Sequence, residues 1–98
     1  MYELIYMPSA EKFFKKTKDA GLISKFNEAL DEISGDPYKA GKAKTGDLLG
    51  IYCRNVFYGK TNYEVAYRII ESDCQYAVVI LAGTRENFYA QLKRYMNS

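Results

Sequence analysis

Residues 77–81 form an uninterrupted apolar run, Ala-Val-Val-Ile-Leu, which constrains the fold more than any other segment. A short run rich in β-branched residues is typical of a buried strand. We therefore predict a buried strand at 75–82, after a turn at 72–73. The remainder of the chain has to supply the strands and helices that cover it.

Three further β-rich segments precede this strand along the chain. Residues 2–6 predict a first strand, and residues 49–58 and 63–71 predict two more. Residues 59–62, Gly-Lys-Thr-Asn, are expected to form the hairpin loop between the last two. Consecutive strands joined in this way pair antiparallel.

Two helices are predicted between the first and second strands, and one at the C-terminus. Ser9 is the expected N-cap of the first helix, and Gly21 ends the turn after it. The second helix is amphipathic and ends at residues 35–37, Gly-Asp-Pro. Thr84 is the expected N-cap of the third helix, and residues 38–47 are expected to be a loop. The apolar positions of the last two helices recur at helical spacing: Ile23, Phe26, Leu30 and Ile33, then Phe88, Leu92 and Tyr95.

The predicted order β-α-α-β-β-β-α indicates an α+β fold in one domain spanning residues 1–98. An N-terminal helical hairpin is expected to pack on a mainly antiparallel four-stranded sheet, with a C-terminal helix. Hydrophobic residues make up 48% of the chain, which suits a single globular core.

Charge and cysteine content narrow the function. Residues 1–38 contain five Lys and seven Asp or Glu, whereas residues 39–98 contain nine Lys or Arg and five Asp or Glu. The basic second half favours an anionic partner. With two cysteines and no histidine, we expect no metal site, no cofactor and no disulfide; Cys53 and Cys74 are interpreted as inert, reduced strand residues. No signal peptide or membrane span is expected, which favours the cytoplasm.

Three segments resemble toxins of the RelE/ParE superfamily: residues 50–52 (Gly-Ile-Tyr), 62–68 (Asn-Tyr-Glu-Val-Ala-Tyr-Arg) and 82–89 (Ala-Gly-Thr-Arg-Glu-Asn-Phe-Tyr). The likeness, with the order of elements, covers nearly the whole chain. It implies a toxin neutralised by a cognate antitoxin. RelE-like members cut mRNA in the ribosomal A site, and ParE-like members poison DNA gyrase, so the fold alone does not decide the activity.

Metal-free RNA cleavage needs a base for the ribose 2′-hydroxyl, cations for the phosphorane and an acid for the leaving 5′-oxygen. In the family that the chain resembles, a basic pair occupies the positions of Tyr52 and Arg54, and an Arg occupies the position of Glu64. The positions of Arg85 and Tyr89 carry an Arg and an aromatic residue that acts as the acid. Two of these positions depart from the pattern, because Tyr52 and Glu64 replace basic residues.

Our hypothesis is a ribosome-dependent mRNA endonuclease in which Glu64 is the general base and Arg54 and Arg85 clamp the phosphate. Tyr89 or Tyr52 would be the acid or a stacking platform. Three further basic residues are expected to contact RNA: Lys42, Lys44 and Arg68. Arg68 shares a strand face with Glu64 at a separation of roughly 13 Å, and we expect one pocket to gather Arg54, Glu64, Arg68 and Arg85.

Simpler interpretations remain open for each residue. Glu64 could be a solvated strand carboxylate paired with Arg54, and Arg85 could pair with Glu86 or Asp73. Tyr89 could pack in the core, and the loop lysines could be merely solvated. At the level of function, the alternatives are a gyrase inhibitor without nuclease activity and a degenerate toxin that only binds its antitoxin.

Overall fold

The computed structural model describes residues 1–97. Five strands, β1 to β5, span Glu3–Tyr6, Lys42–Ala43, Ile51–Tyr58, Thr61–Glu71 and Gln75–Thr84. Four helices, α1 to α4, span Pro8–Lys16, Ala20–Gly35, Pro37–Ala40 and Phe88–Met96, and a 3-10 turn spans Gly46–Leu48. None of the helices within residues 1–97 combines the length and the apolar character needed to cross a bilayer.

The strands form one mixed sheet in the order β1-β5-β4-β3-β2. β1 is parallel to β5, and the other neighbours are antiparallel. The predicted α+β fold is therefore confirmed, with five strands in place of four. The additional strand, β2, lies in the segment expected to be a loop, where Lys42 pairs with Cys53 and Ala43 with Tyr52.

Helices cover both faces of the sheet. The hairpin of α1 and α2 buries Phe26 and Ile33 against Val65 and Tyr67 on one face, here called the hairpin face. The other face, here called the α4 face, is covered by α4 and the 3-10 turn. Its core residues are Leu48, Ile51, Cys53, Ala66, Ile80, Leu81, Phe88 and Leu92. The central strand β4 is therefore buried on both sides.

A β-bulge interrupts the alternation of side chains along β5. Ala66 pairs with Leu81 and the next residue of β4, Tyr67, pairs with Val79, so Ile80 is an extra residue. As a result Ile80 and Leu81 both pack on the α4 face. The Ser9 hydroxyl donates a hydrogen bond to the carbonyl oxygen of Ile80 at 2.5 Å, which anchors the start of α1 to the bulge.

The β3–β4 hairpin loop is shorter than predicted. Tyr58 pairs with Thr61, so only Gly59 and Lys60 connect the strands. Both have positive φ, 57° and 66°, as a tight two-residue turn that matches the sheet twist requires. The prediction of a four-residue loop at 59–62 is wrong. Because the loop is two residues shorter, different residues of β3 and β4 lie opposite each other across the hairpin.

The predicted caps also differ from the observed ones. Ser9 lies inside α1, and Gly21 lies in the first turn of α2. Asp19 caps α2, because its carboxylate accepts hydrogen bonds from the backbone N–H groups of Gly21 and Leu22. Thr84 ends β5, and Asn87, with a left-handed backbone, precedes α4.

A buried tyrosine joins the sheet to the segment that carries β2. The Tyr67 hydroxyl donates to the carbonyl oxygen of Pro37 at 2.6 Å, and its side chain is fully buried. Gly41 passes so close that an added Cβ would lie 2.6 Å from the Tyr67 hydroxyl and 2.9 Å from the Cys53 carbonyl oxygen. The chain can turn into β2 here only with a glycine.

We predict that Gly41→Ala destabilises the protein by about 1–3 kcal/mol, because the new methyl group clashes with a buried side chain and with backbone. Urea unfolding measures the change. Gly35→Ala is the matched control, since its Cβ would meet nothing within 4 Å. Equal free energies of unfolding for the two variants would contradict this explanation.

A second prediction concerns Asp19. Hydrogen bonds from the Tyr58 hydroxyl and from the backbone N–H groups of Leu22 and Gly21 hold its pKa below the ordinary value of 3.8. A lowered folded-state pKa contributes stability that is fully present above the ordinary value and is lost as the pH falls through the folded-state value. The stability gap between wild type and Asp19→Ala should therefore narrow below about pH 4.

Urea midpoints measured against pH test this expectation. Asp19→Asn is the control, because asparagine retains a capping acceptor but does not titrate. If the difference in stability between wild type and Asp19→Ala stays constant from neutral to acidic pH, the charge of the capping residue does not contribute to stability.

Candidate functional site

A polar groove of about 490 Å³ opens on the α4 face, beside the edge strand β2. It lies between β2, the middle of β3, the start of β4 and the start of α4. Its lining residues are Lys39, Ala40, Gly41, Lys42, Lys44, Cys53, Arg54, Asn55, Glu64, Arg85 and Tyr89. Five of the eleven are Lys or Arg and one is acidic, so the groove suits an anionic ligand.

The single carboxylate of the groove belongs to Glu64. The residue is 4% exposed, and it is the one buried charged residue in residues 1–97. Oε2 accepts a hydrogen bond from the Asn55 amide at 3.2 Å and lies 3.9 Å from Nε of Arg85. The interpretation of Glu64 as a solvated carboxylate paired with Arg54 is therefore wrong.

Arg85 follows β5 directly and is held by its backbone. Its N–H donates to the carbonyl oxygen of Asn62 at 2.8 Å, and its side chain remains 60% exposed. The guanidinium thus faces Glu64 while retaining access to solvent. Pairing with Glu86 or Asp73, the simpler interpretation, is not what the structure has.

Lys44 and Tyr89 meet in the same groove. The Lys44 ammonium lies 4.8 Å from the centre of the Tyr89 ring, within cation–π range. Burial by itself lowers the pKa of Lys44, but its interactions with Tyr89, Cys53 and Glu64 outweigh it, so the pKa of Lys44 is raised. Lys44 is therefore a permanent cation at neutral pH.

The Tyr89 side chain borders both the core and the groove. Its ring packs edge-to-face on Phe88, with centroids 5.6 Å apart, and borders the core beneath α4. The same side chain lines the groove. Packing therefore orients the ring at the site.

Arg54 lies at the rim of the groove, but its guanidinium is held elsewhere. Nη2 donates to both carboxylate oxygens of Glu32 on α2, at 3.0 and 3.1 Å. The reason is strand parity: Arg54 pairs with Val65, whose side chain lies on the hairpin face. We expected Arg54 and Glu64 in one pocket, but a hairpin loop of two residues and one of four both direct these side chains to opposite faces.

Two other residues expected in the same pocket lie outside it. Tyr52 is on the hairpin face, where its ring stacks on Tyr67 with centroids 5.7 Å apart. Arg68 lines a separate, mainly apolar groove near the end of α4, with Met7 and Ile70 among its neighbours. Of the four residues expected in one pocket, Glu64 and Arg85 lie together in the groove and Arg54 lies at its rim. Arg68 lies outside the groove, and its contact with RNA stays a prediction.

On β3, the residues that share the face of Glu64 and line the groove are Cys53 and Asn55. Burial raises the pKa of the Cys53 thiol to about 11, so it is uncharged at neutral pH. Cys74 lies exposed in the turn before β5, not in a strand as predicted. No cluster of three His, Cys, Asp or Glu side chains within residues 1–97 is arranged to bind a metal ion.

Sequence reasoning missed Asn55, and it treated Lys39 as a solvated loop residue. Asn55 lies directly opposite Glu64 across the hairpin. The signal that could have found it is the Gly-Lys turn, because a two-residue loop dictates the pairing of every residue that precedes it.

Comparison with known structures gives the same fold. The isolated RelE toxin of E. coli is 20% identical, with a TM-score of 0.67 over 97% of this chain and 99% of that chain. A chain of the RelBE2 toxin–antitoxin complex of Mycobacterium tuberculosis is 23% identical, with a TM-score of 0.65 over 86% and 98%. A chain of the intact E. coli RelBE complex is 21% identical, with a TM-score of 0.63 over 85% and 95%. Curated protein sequences gave no significant match.

The family model described as the ParE-like toxin of type II bacterial toxin–antitoxin systems matches residues 4–93. The match includes β2 to β5, β1 from Leu4 onward, and the groove residues from Lys39 to Tyr89. The chain therefore belongs to the ParE-like toxins of type II bacterial toxin–antitoxin systems, a group within the RelE/ParE superfamily.

Proposed function

We propose that this toxin is a metal-free endoribonuclease that cuts mRNA on the ribosome and so inhibits translation in the cytoplasm. The observation that carries the proposal is the buried Glu64 carboxylate, enclosed in a groove otherwise lined by cationic and polar side chains. A lone carboxylate among cations is the pairing that base-catalysed attack on a phosphodiester requires.

In this proposal Glu64 takes the proton from a ribose 2′-hydroxyl. The 2′-oxygen attacks the adjacent phosphorus, and the bond from phosphorus to the 5′-oxygen breaks. The products are a 2′,3′-cyclic phosphate and a 5′-hydroxyl end. Burial and the hydrogen bond from Asn55 orient the Glu64 carboxylate, which supports its role as a positioned base.

The phosphorane carries additional negative charge, and Arg85 and Lys44 are placed to stabilise it. Arg85 is 3.9 Å from the Glu64 carboxylate, and the raised pKa of Lys44 keeps its ammonium charged. Lys42 and Lys39 extend the positive charge along the groove, where they would contact the RNA backbone. Arg54 would join them only after leaving Glu32.

We assign the proton for the leaving 5′-oxygen to Tyr89. Its side chain lines the groove, with the centre of the ring 4.8 Å from the ammonium of Lys44, and the ring is fixed by packing on Phe88.

The protein partner in this proposal is a cognate antitoxin. Two of the structures with the same fold are of toxin–antitoxin complexes. An antitoxin segment with acidic and apolar side chains would match the basic groove and its apolar surroundings.

Gyrase inhibition is the second candidate function, and one observation favours it. Of the basic pair that the resemblance places at positions 52 and 54, Tyr52 is not basic and Arg54 is bound to Glu32, so fewer cations are free to act in the groove than in that pattern. The matching family is also described by its likeness to ParE.

We predict that Glu64→Gln and Arg85→Ala each reduce mRNA cleavage by about a hundredfold or more, because each removes a group that acts in the transition state. Primer extension on mRNA after induction in cells measures the cuts. Arg94→Ala is the control, since Arg94 is an exposed residue in the last turn of α4.

A gyrase supercoiling assay with the wild-type protein separates the candidates. Uncut mRNA together with inhibited supercoiling would replace the nuclease proposal by gyrase inhibition. Neither effect would indicate a toxin that has kept only antitoxin binding. Cuts that persist in both variants would remove Glu64 and Arg85 from the mechanism.

A separate prediction isolates the Tyr89 hydroxyl. Tyr89→Phe retains the ring, its packing on Phe88 and its contact with Lys44, and removes only the proton donor. Single-turnover cleavage on ribosomes should slow by about 10²–10⁴-fold, the usual contribution of a general acid. An unchanged rate would leave Tyr89 with packing alone.

A further inference from the structure

We propose that Asn55 is a positioning residue that fixes the Glu64 carboxylate and links it to the Arg85 backbone. This inference rests on the proposed ribonuclease function and adds a residue that acts through the base and not on the RNA itself.

The Asn55 amide nitrogen faces three acceptors at once. It lies 3.2 Å from Oε2 of Glu64, 3.2 Å from the carbonyl oxygen of Tyr63 and 3.3 Å from Oδ1 of Asn62. Because all three are oxygens, the side chain must present its NH₂ group and not its carbonyl. The two amide hydrogens are therefore directed into the start of β4.

Glu64 has no other side chain beside it on the neighbouring strands. It pairs with Asn55 on β3 and with Gly83 on β5. Gly83 has no side chain, and an added Cβ there would meet nothing within 4 Å. Asn55 is therefore the cross-strand neighbour that can orient the carboxylate, and Arg85, at 3.9 Å, is beyond hydrogen-bond distance.

The same amide reaches the other half of the catalytic pair through Asn62. The Asn62 side chain accepts from Asn55, and its backbone carbonyl accepts from the Arg85 N–H at 2.8 Å. Asn55 is thus connected to Glu64 directly. It is connected to the backbone of Arg85 through Asn62. Loss of Asn55 should disturb the distance and angle between them.

The test is single-turnover cleavage of mRNA on programmed ribosomes, measured across the pH range that ribosomes tolerate. Asn55→Ala should slow cleavage about ten- to a hundredfold, which corresponds to one hydrogen bond to a charged group. It should also move the acidic limb of the pH–rate profile to higher pH, because the ionised carboxylate has lost a donor.

Asn55→Asp is the second variant, and it keeps the size of the side chain. It places a carboxylate beside Glu64, so like-charge repulsion should move the acidic limb further than alanine does. Asn27→Ala, at an exposed position of α2, is the matched control and should behave as wild type. Thermal unfolding of each variant shows how much folded protein is present.

A purely structural role predicts a different result. Both variants would then slow cleavage equally at every pH, in proportion to the folded protein lost, and the limb would not move; that outcome overturns the proposal. If the wild-type protein cuts no RNA, the ribonuclease function itself is wrong and the positioning role falls with it. If wild type cuts and the variants keep its pH profile, only the role of Asn55 is wrong.

Discussion

The burial of β4 on both faces is the constraint from which the rest of the molecule follows. Val65 and Tyr67 pack under the helical hairpin, while Ala66 packs under α4. No residue of this stretch can exchange faces without moving an apolar side chain into the wrong core. Glu64 is therefore committed to the α4 face, where burial removes it from water and leaves Asn55 and Arg85 as its polar neighbours.

The sequence was sufficient for most of the architecture, because the periodic and apolar segments carry their own signal. The buried strand, the two central strands and the helix that stops before Pro37 all lie within a few residues of the predicted positions. Glu64, Arg85 and Tyr89 line one groove, and it was the resemblance to RelE/ParE toxins that pointed to these three positions. Lys44, which lies in the segment expected to be a loop, lines the same groove.

The register of the β3–β4 hairpin and the ion-pair partner of Arg54 could not be predicted from the sequence. A four-residue loop would have set Phe57 opposite Glu64, whereas the two-residue loop sets Asn55 there. β2 has two residues and no periodicity to detect. The attachment of Arg54 to Glu32 joins positions on different elements, and neither side chain indicates the other. The fold could thus be predicted from local patterns, while the residue that lies opposite Glu64 in the groove depended on a single turn.

The extra residue in β5 has a consequence for how this chain can vary. Because Ile80 and Leu81 both face α4, the residues after them are displaced by one position in the alternation, and Arg85 emerges beside Glu64 instead of on the other side of the sheet. The number of residues in β5 at the bulge is therefore more tightly constrained than which apolar residues they are. Exchanging one apolar residue for another would leave the groove intact, whereas a one-residue deletion would preserve the hydrophobic character of the strand and still take the arginine away from its carboxylate.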